Sequence, residues 1–404
     1  MRLPNFYSIE NISLEVKEYS VDILIDNLNG IEIYESLERK GMTARLSFLD
    51  TYFFEEILPI VGGEKVKISL LDARKDQFNY TFIVSRKLGV TQRDETNYYN
   101  VELHLIEEEY FNLLSKNYNY GIFNNTNIIS DTIYKISEWA LSKKQKLNKN
   151  KIIPKIIPNL YFPVFWKVDN CIDYLLEKST NKQDSGFYFI YSRRNSEFKI
   201  VSMMELIKDN NERTKDRFSF NLFRKNSFNF IIKREIVESN SLISNINENT
   251  ISSRMYNLDT ETKKLNVETE DFEKFISDFN KNGSVLSKEA FAFDSENNTT
   301  FEYKPYLFKR SINTQRNNRI SKKVGTDLKL EVEIDGRLEL NIGDKIIIDH
   351  PSKIGESNSI YDGEWVVFNI DHTFKADSTY RQKLLLVKSF VKVIKGTERI
   401  LGGI

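Results

Sequence analysis

The chain has 404 residues, which is long for one hydrophobic core and points to about two to four folding units. Apolar residues make up 40% and charged residues 29%, a composition that argues against wholesale disorder and against residence in a membrane. Lys plus Arg and Asp plus Glu balance at 58 each, and Cys171 is the single cysteine. A global field for nucleic acid, an intramolecular disulfide framework and a multi-cysteine metal site are thereby excluded.

Twenty-eight Phe and twenty Tyr against seven Pro lean the chain towards β structure and buried interfaces. From Ile12 to Glu107 the apolar residues alternate: Met42, Ala44, Leu46, Phe48; Val66, Ile68, Leu70; Phe78, Tyr80, Phe82, Val84; Val101, Leu103, Leu105. Period two between turn residues predicts half-buried antiparallel strands. Asn29-Gly30, between Val21–Ile25 and Ile31–Tyr34, predicts a tight hairpin because both residues tolerate positive φ. Residues 1–112 therefore read as a first antiparallel β-barrel or sandwich.

The period then changes. Ile129, Ile133, Ile136 and Ala140 follow Thr126-Asn127, a pair suited to capping, and predict an amphipathic helix. A lysine-rich loop (Lys143–Lys155) leads to a second helix with Val168, Ile172, Leu175 and Leu176 on one face, then to strands Phe187–Tyr191 and Phe198–Val201. Residues 113–216 thus form an inserted α/β module. Strand-like runs return at Phe218–Phe223 and Phe228–Lys233, and period two resumes from Leu328. Residues 217–240 and 325–392 are read as a second barrel. The intervening 241–324 form a peripheral segment, polar and irregular over Asn240–Thr300 with a helix over Lys304–Lys323, and 393–404 are a tail. The fold class is α+β, mainly β.

The two β regions carry one pattern. Gly63-Glu64-Lys65-Val66-Lys67-Ile68 is echoed by Gly343-Asp344-Lys345-Ile346-Ile347-Ile348. Tyr80–Val84 then answers Trp365–Ile370, and Tyr98–Leu105 answers Tyr380–Val387. The separation from the glycine to the tyrosine is 35 positions in one copy and 37 in the other, a difference that one loop absorbs. Three copies of such a chain would set six similar units around an axis.

Catalytic chemistry is hard to find. Asp349-His350 and Asp371-His372 join neighbouring residues, which point to opposite faces of a strand, so these histidines, like His104, read as structural residues at strand ends. Cys171 reads as a small packed side chain on a helix. Glu107-Glu108-Glu109 reads as a solvated helix start rather than a pair of carboxyls converging on a sugar. Gly62-Gly63 lacks the spacing of a phosphate-binding loop. The basic run Lys304, Lys309, Arg310, Arg316, Arg319, Lys322, Lys323 could meet phosphates, although a solvated helix face or pairing with an acidic neighbour is the preferred reading. No catalytic residue, cofactor or metal is assigned.

The run Gly30–Ser36 with Arg45–Asp50, then Leu58-Pro59-Ile60-Val61-Gly62-Gly63-Glu64, Leu338–Asp344, Gly363–His372 and Leu384–Val387 resembles the central baseplate hub protein of contractile phage tails. Relatives of that family include the hub region of type VI secretion spike proteins. The resemblance covers nearly all of residues 1–392 and extends to the order barrel, inserted module, interrupted barrel. It implies a homotrimer forming a pseudo-hexameric ring that adapts a sixfold tail tube to a threefold central spike. The ring would form part of the DNA ejection channel, touch the tube ring, the spike and neighbouring baseplate proteins, and insert in no membrane. Its place would be the virion tail after assembly in the host cytoplasm, with the spike a separate protein. Partner-interface candidates are Asn29, Gly30, Ile31, Gly62, Gly63, Glu64, Gly343 and Asp344. Two other readings are a tail-associated cell-wall hydrolase, which needs a perturbed acid and base in a cleft, and a carbohydrate-binding tail protein using exposed aromatics such as Tyr118, Tyr120 and Tyr361.

Overall fold

The computed structural model describes residues 7–51, 53, 60–72, 76–92, 98–118, 128–142, 145–146, 151–153, 155–156, 162–182, 185–192, 197–208, 216–219, 231–237, 253–259, 264–270, 300–305, 318, 322, 326, 328–349, 363–375 and 379–388. The alternating first region becomes β1 (Tyr7–Val16), β2 (Tyr19–Asp22), a 3-10 turn at Ile25–Asn27, β3 (Leu28–Ser36), β4 (Thr43–Asp50), β5 (Lys65–Asp72), β6 (Gln77–Gln92) and β7 (Tyr99–Glu107). Helices α1 (Glu108–Ser115), α2 (Ile129–Ala140) and α3 (Val168–Glu177), strands β8 (Gln145–Lys146), β9 (Phe187–Ser192) and β10 (Glu197–Ser202) and the short helix α4 (Met203–Lys208) follow. The remainder is β11 (Asp216–Ser219), β12 (Ile231–Val237), β13 (Ser253–Asp259), β14 (Lys264–Glu270), β15 (Thr300–Pro305), β16 (Leu328–Asp335), β17 (Lys345–Asp349), β18 (Gly363–Lys375) and β19 (Tyr380–Lys388).

Thirteen of these strands share one sheet, in the order β12-β16-β19-β18-β3-β4-β7-β6-β5-β1-β2, with β17 between β18 and β11. The predicted mainly β character holds. Among the described residues no strand pairing closes either half of this sheet into a barrel. The two halves run through the same pairings. β3-β4-β7-β6-β5 in the first matches β12-β16-β19-β18-β17 in the second. Their registers match too: Val66 faces Phe82 as Ile346 faces Trp365, and Val84 faces Leu105 as Val367 faces Leu386.

Irregularities recur at equivalent places. The register shifts between Val84 and Arg86 in β6 and between Val367 and Asn369 in β18. It shifts again between Leu28 and Gly30 in β3 and between Ile231 and Lys233 in β12. A bulge inserts one residue and re-aims everything after it, so two shared bulges are stronger evidence of a common plan than shared alternation. The halves differ at the outer strand, since β1 lies antiparallel to β5 whereas β11 lies parallel to β17. Burial follows the plan: Leu46, Phe82, Val84, Leu103 and Leu105 are buried, as are Val332, Trp365, Val367, Leu384 and Leu386 at the matching positions. Each such side chain contributes about 2 kcal/mol by leaving water.

The module packs on both halves, with Tyr188, Ile190, Met203 and Leu206 sharing the core of the second and its helices that of the first. Ile129, Ile133, Ile136 and Ala140 on α2 and Val168, Ile172, Leu175 and Leu176 on α3 turn one face each into the same core as Leu113, Phe162, Phe189 and Phe198. Strands β9 and β10 are antiparallel, and β8 joins β10 in parallel. Lys40, in the β3–β4 connection, is buried and bonds Asp169 at 2.8 Å and Asp173 at 2.7 Å on α3. This clamp ties the first half to the module.

Three local expectations need correction. Asn29-Gly30 is not a hairpin turn but lies inside β3 at its bulge, and β2 pairs with β1 instead of β3. The bulge uses the same small, permissive residues that a tight turn would use. The polar stretch 240–300 is not wholly irregular: β13 and β14 pair antiparallel and β15 adds parallel to β13. Period two was present there in Tyr256, Leu258, Leu265 and Val267, whose partners are one another, but it was diluted by polar neighbours. The helix expected over Lys304–Lys323 begins instead as strand, since Lys304 and Pro305 end β15; Asn318 and Lys322 are helical, and most of the rest lies outside the described residues. Thr126 and Asn127 also lie outside them, and the residue capping α2 is Ile128, with no side-chain bond.

Candidate assembly interface

The matched turns that enter β5 and β17 are built by one device. Gly63 donates its N–H to the Val84 carbonyl at 2.8 Å, and the Val84 N–H returns to the Glu64 carbonyl at 2.8 Å. Gly343 and Val367 repeat the first bond at 2.8 Å, and Val367 and Asp344 the second at 2.9 Å. Each acidic side chain then closes its own turn. The Glu64 carboxylate accepts N–H groups of Val61 and Gly62, both at 2.9 Å, and that of Asp344 accepts the Asn341 N–H at 3.0 Å. Gly62, Gly63 and Gly343 have φ of 111°, 94° and 80°, a region that side-chain-bearing residues rarely adopt. The glycine-acid pattern in the sequence is therefore a backbone requirement.

The two turns differ in surroundings. Val61, Gly62 and Gly63 are exposed over a buried Glu64, with Val61 at 85%. The second turn is covered: Asn341 and Ile342 are buried, and a side chain at Gly343 would meet Leu206 of α4 at 3.0 Å. Of the candidates in β3, Asn29 is exposed and donates to Asn100 at 2.6 Å, whereas Ile31 is fully buried and offers no surface to a partner.

The two halves of the sheet meet where β3 pairs antiparallel with β18, from Ser36 opposite Asn369 to Gly30 opposite Lys375. His372 sits in this seam, 1% exposed, inside the strand rather than at its end. Its Nε2 lies 2.9 Å from Glu35 Oε1 across the seam, and its Nδ1 lies 2.8 Å from the Tyr380 hydroxyl. Phe374 and Tyr380 stack at 4.3 Å, and the Tyr7 hydroxyl donates to the Lys375 carbonyl at 2.7 Å. Sequence reasoning reached a structural role for His372 without finding Glu35, because a partner 337 positions away leaves no local signal.

Other candidate chemistry resolves into packing. Cys171 is fully buried, and burial pushes its thiol up to about 12. Only the middle of the Glu107–Glu109 run meets solvent: Glu107 accepts the Met42 N–H at 3.2 Å, Glu109 accepts bonds from the Ser142 N–H and hydroxyl, and both are buried, while the partly exposed Glu108 pairs with Lys65 at 2.7 Å. Its two outer carboxylates satisfy a neighbouring strand and loop instead of water. Tyr118 is 5% exposed and packs edge-on to Trp139 and Phe162, so it is no glycan platform; Tyr120 and Tyr361 lie outside the described residues. His104 is exposed, and His350 lies outside the described residues. Among those residues no group of three or more His, Cys, Asp or Glu could hold a metal ion, and no helix is long and apolar enough to cross a membrane.

No family model matches the chain, and no curated protein does. Solved structures do. The 43 kDa tail protein of prophage MuSo2 from Shewanella oneidensis aligns with TM-score 0.58 at 12% identity, over 94% of this chain and 99% of that one. A tail protein from Neisseria meningitidis MC58 aligns with TM-score 0.55 at 9% identity, over 95% of this chain and 96% of that one. A chain of the half-lidded Francisella PdpA-VgrG complex aligns with TM-score 0.54 at 11% identity, over 96% of this chain but 59% of that one. This chain thus has the fold of phage tail proteins and of a chain of a PdpA-VgrG complex, and the resemblance to a baseplate hub read from its motifs holds at the level of fold.

Proposed function

We propose that this chain is a non-enzymatic hub of a contractile tail baseplate. Three copies close into a ring of six similar barrel-type units, which adapts a sixfold tail tube on one side to a threefold central spike on the other. DNA passes through its lumen during ejection. The ring is part of the virion tail, assembled in the host cytoplasm, and touches neighbouring baseplate proteins.

The observation that carries this reading is the duplicated plan of the large sheet, with pairings, registers and two bulges repeated. A chain that holds two copies of one unit converts threefold symmetry into approximate sixfold symmetry without a second gene product. The exposed Val61–Gly63 turn, with Asn29 on the same half, is the surface assigned to a ring partner; Gly343 and Asp344 are its counterparts in the second half. The fold shared with tail proteins supports the setting.

Mass in solution tests the proposal. Light scattering of the purified chain at tens of micromolar is expected to give three times the chain mass of 47.5 kDa. A strict monomer under these conditions rejects the ring. Release of peptidoglycan fragments by the purified chain would instead favour the cell-wall hydrolase.

A further inference from the structure

Of the strand edges that have no described strand beside them, two belong to the part of the sheet that is duplicated. β12 ends the large sheet, pairing with β16 on one side only. β6 pairs with β5 through Ile83, and from Gly89 to Gln92 its described neighbour is β7 alone. Open edges present rows of backbone donors and acceptors and are templates for another strand. The equivalent edges in this chain are already joined to each other: β3 is the counterpart of β12, β18 is the counterpart of β6, and they form the seam between the halves.

That seam fixes a register for the open pair. Through their partners in β19 and β7, and beyond a second register shift between Lys87 and Gly89 that β18 lacks, Asp371, His372, Thr373 and Phe374 correspond to Gly89, Val90, Thr91 and Gln92. Likewise Ile31, Glu32, Ile33 and Tyr34 correspond to Arg234, Glu235, Ile236 and Val237. We infer that β12 of one protomer pairs antiparallel with the end of β6 in a second copy of this chain. The register sets Gly89 opposite Val237, Val90 opposite Ile236, Thr91 opposite Glu235 and Gln92 opposite Arg234. The occupant is a second copy because the edge it completes has the same plan as the edge completed inside the chain. One pair recurs residue for residue: Thr373 faces Glu32 in the internal seam, and Thr91 faces Glu235 in the new one. Every unit then has the same neighbours whether the joint is covalent or not. The contact is head to tail, so it propagates in one direction and closes only as a ring. The number of copies in that ring rests on the homotrimeric reading above.

Disulfide trapping in the full chain tests the seam. Directly opposed residues on paired strands come within disulfide reach, whereas diagonal ones two positions along do not. Cys171 is buried and stays out of the reaction. The variants Thr91→Cys/Glu235→Cys and Val90→Cys/Ile236→Cys, oxidised mildly and run without reductant, are expected to give covalent dimers and trimers that collapse on reduction. Thr91→Cys alone should give none of the trimer, and the diagonal Thr91→Cys/Val237→Cys pair about tenfold less of it. Trimers by mass that none of the opposed pairs bridges overturn the seam and leave the homotrimer standing. Bridging within one chain also overturns it. Monomers whose cysteines stay reduced remove seam and homotrimer together.

Discussion

At the scale of single residues, two acidic side chains do backbone work that a surface reading of the sequence would assign to solvent. Glu64 holds two N–H groups of a turn whose glycines sit at positive φ, and Asp344 holds one. Glu64→Ala removes the buried carboxylate that accepts two turn N–H groups and is expected to lower stability by about 1–3 kcal/mol in urea unfolding, with Glu64→Gln recovering part of the loss. His372 is the second case. His372→Ala removes the imidazole that Glu35 bonds, and with it a ring that lies nearly parallel to those of Phe374 and Tyr380 at 6.1 and 6.0 Å, so a loss of about 3–5 kcal/mol is expected in the same measurement. The glycine-acid turns were legible because φ and capping impose local residue types. Glu35 was not, because a seam between distant strands is a tertiary fact.

At the scale of elements, the inserted module is held to the sheet by packed faces and by charge in confined places. Lys322 lies 4.3 Å over the Tyr188 ring, and burial pulls its ammonium down to about 8 despite the opposing pull of Asp173. The folded state therefore binds this proton more weakly than the unfolded chain does, and the unfolded chain carries more protons between pH 8 and the ordinary lysine value. Stability from this group rises with pH across that window. Comparing wild type with Lys322→Met should show a difference in pH dependence of about 1–3 kcal/mol between pH 7 and 10 by chemical denaturation, the variant being flatter. Helices α2 and α3 and most strands could be read from period alone, since a two-sided environment forces alternation and a helix on a core forces spacing by three and four. The sheet β14-β13-β15 escaped notice because its alternation is sparse, and the β3 bulge was mistaken for a turn because both use Asn-Gly.

At the scale of the whole molecule, the repeat was visible as a short glycine-acid motif and two strand patterns, while its strength became plain only in bulges, which leave no mark in composition. The structure also refines the alignment: Tyr380 corresponds to Tyr99, one position beyond the tyrosine chosen from sequence, and Trp365 corresponds to Phe82. Both expectations for assembly, a mass of three chains and a cysteine-trapped seam, follow from the same correspondence. They fail separately, which keeps the oligomer and its geometry distinct.

Leu206 of α4 lies against one of two otherwise matching turns and leaves the other bare. Around a closed ring of three chains, such corners would alternate between capped and naked, so six equal teeth on that rim become three. In the proposed ring the inserted module would be the part that breaks the symmetry which the duplication creates, and a partner with half as many subunits would find its footing on the teeth that remain.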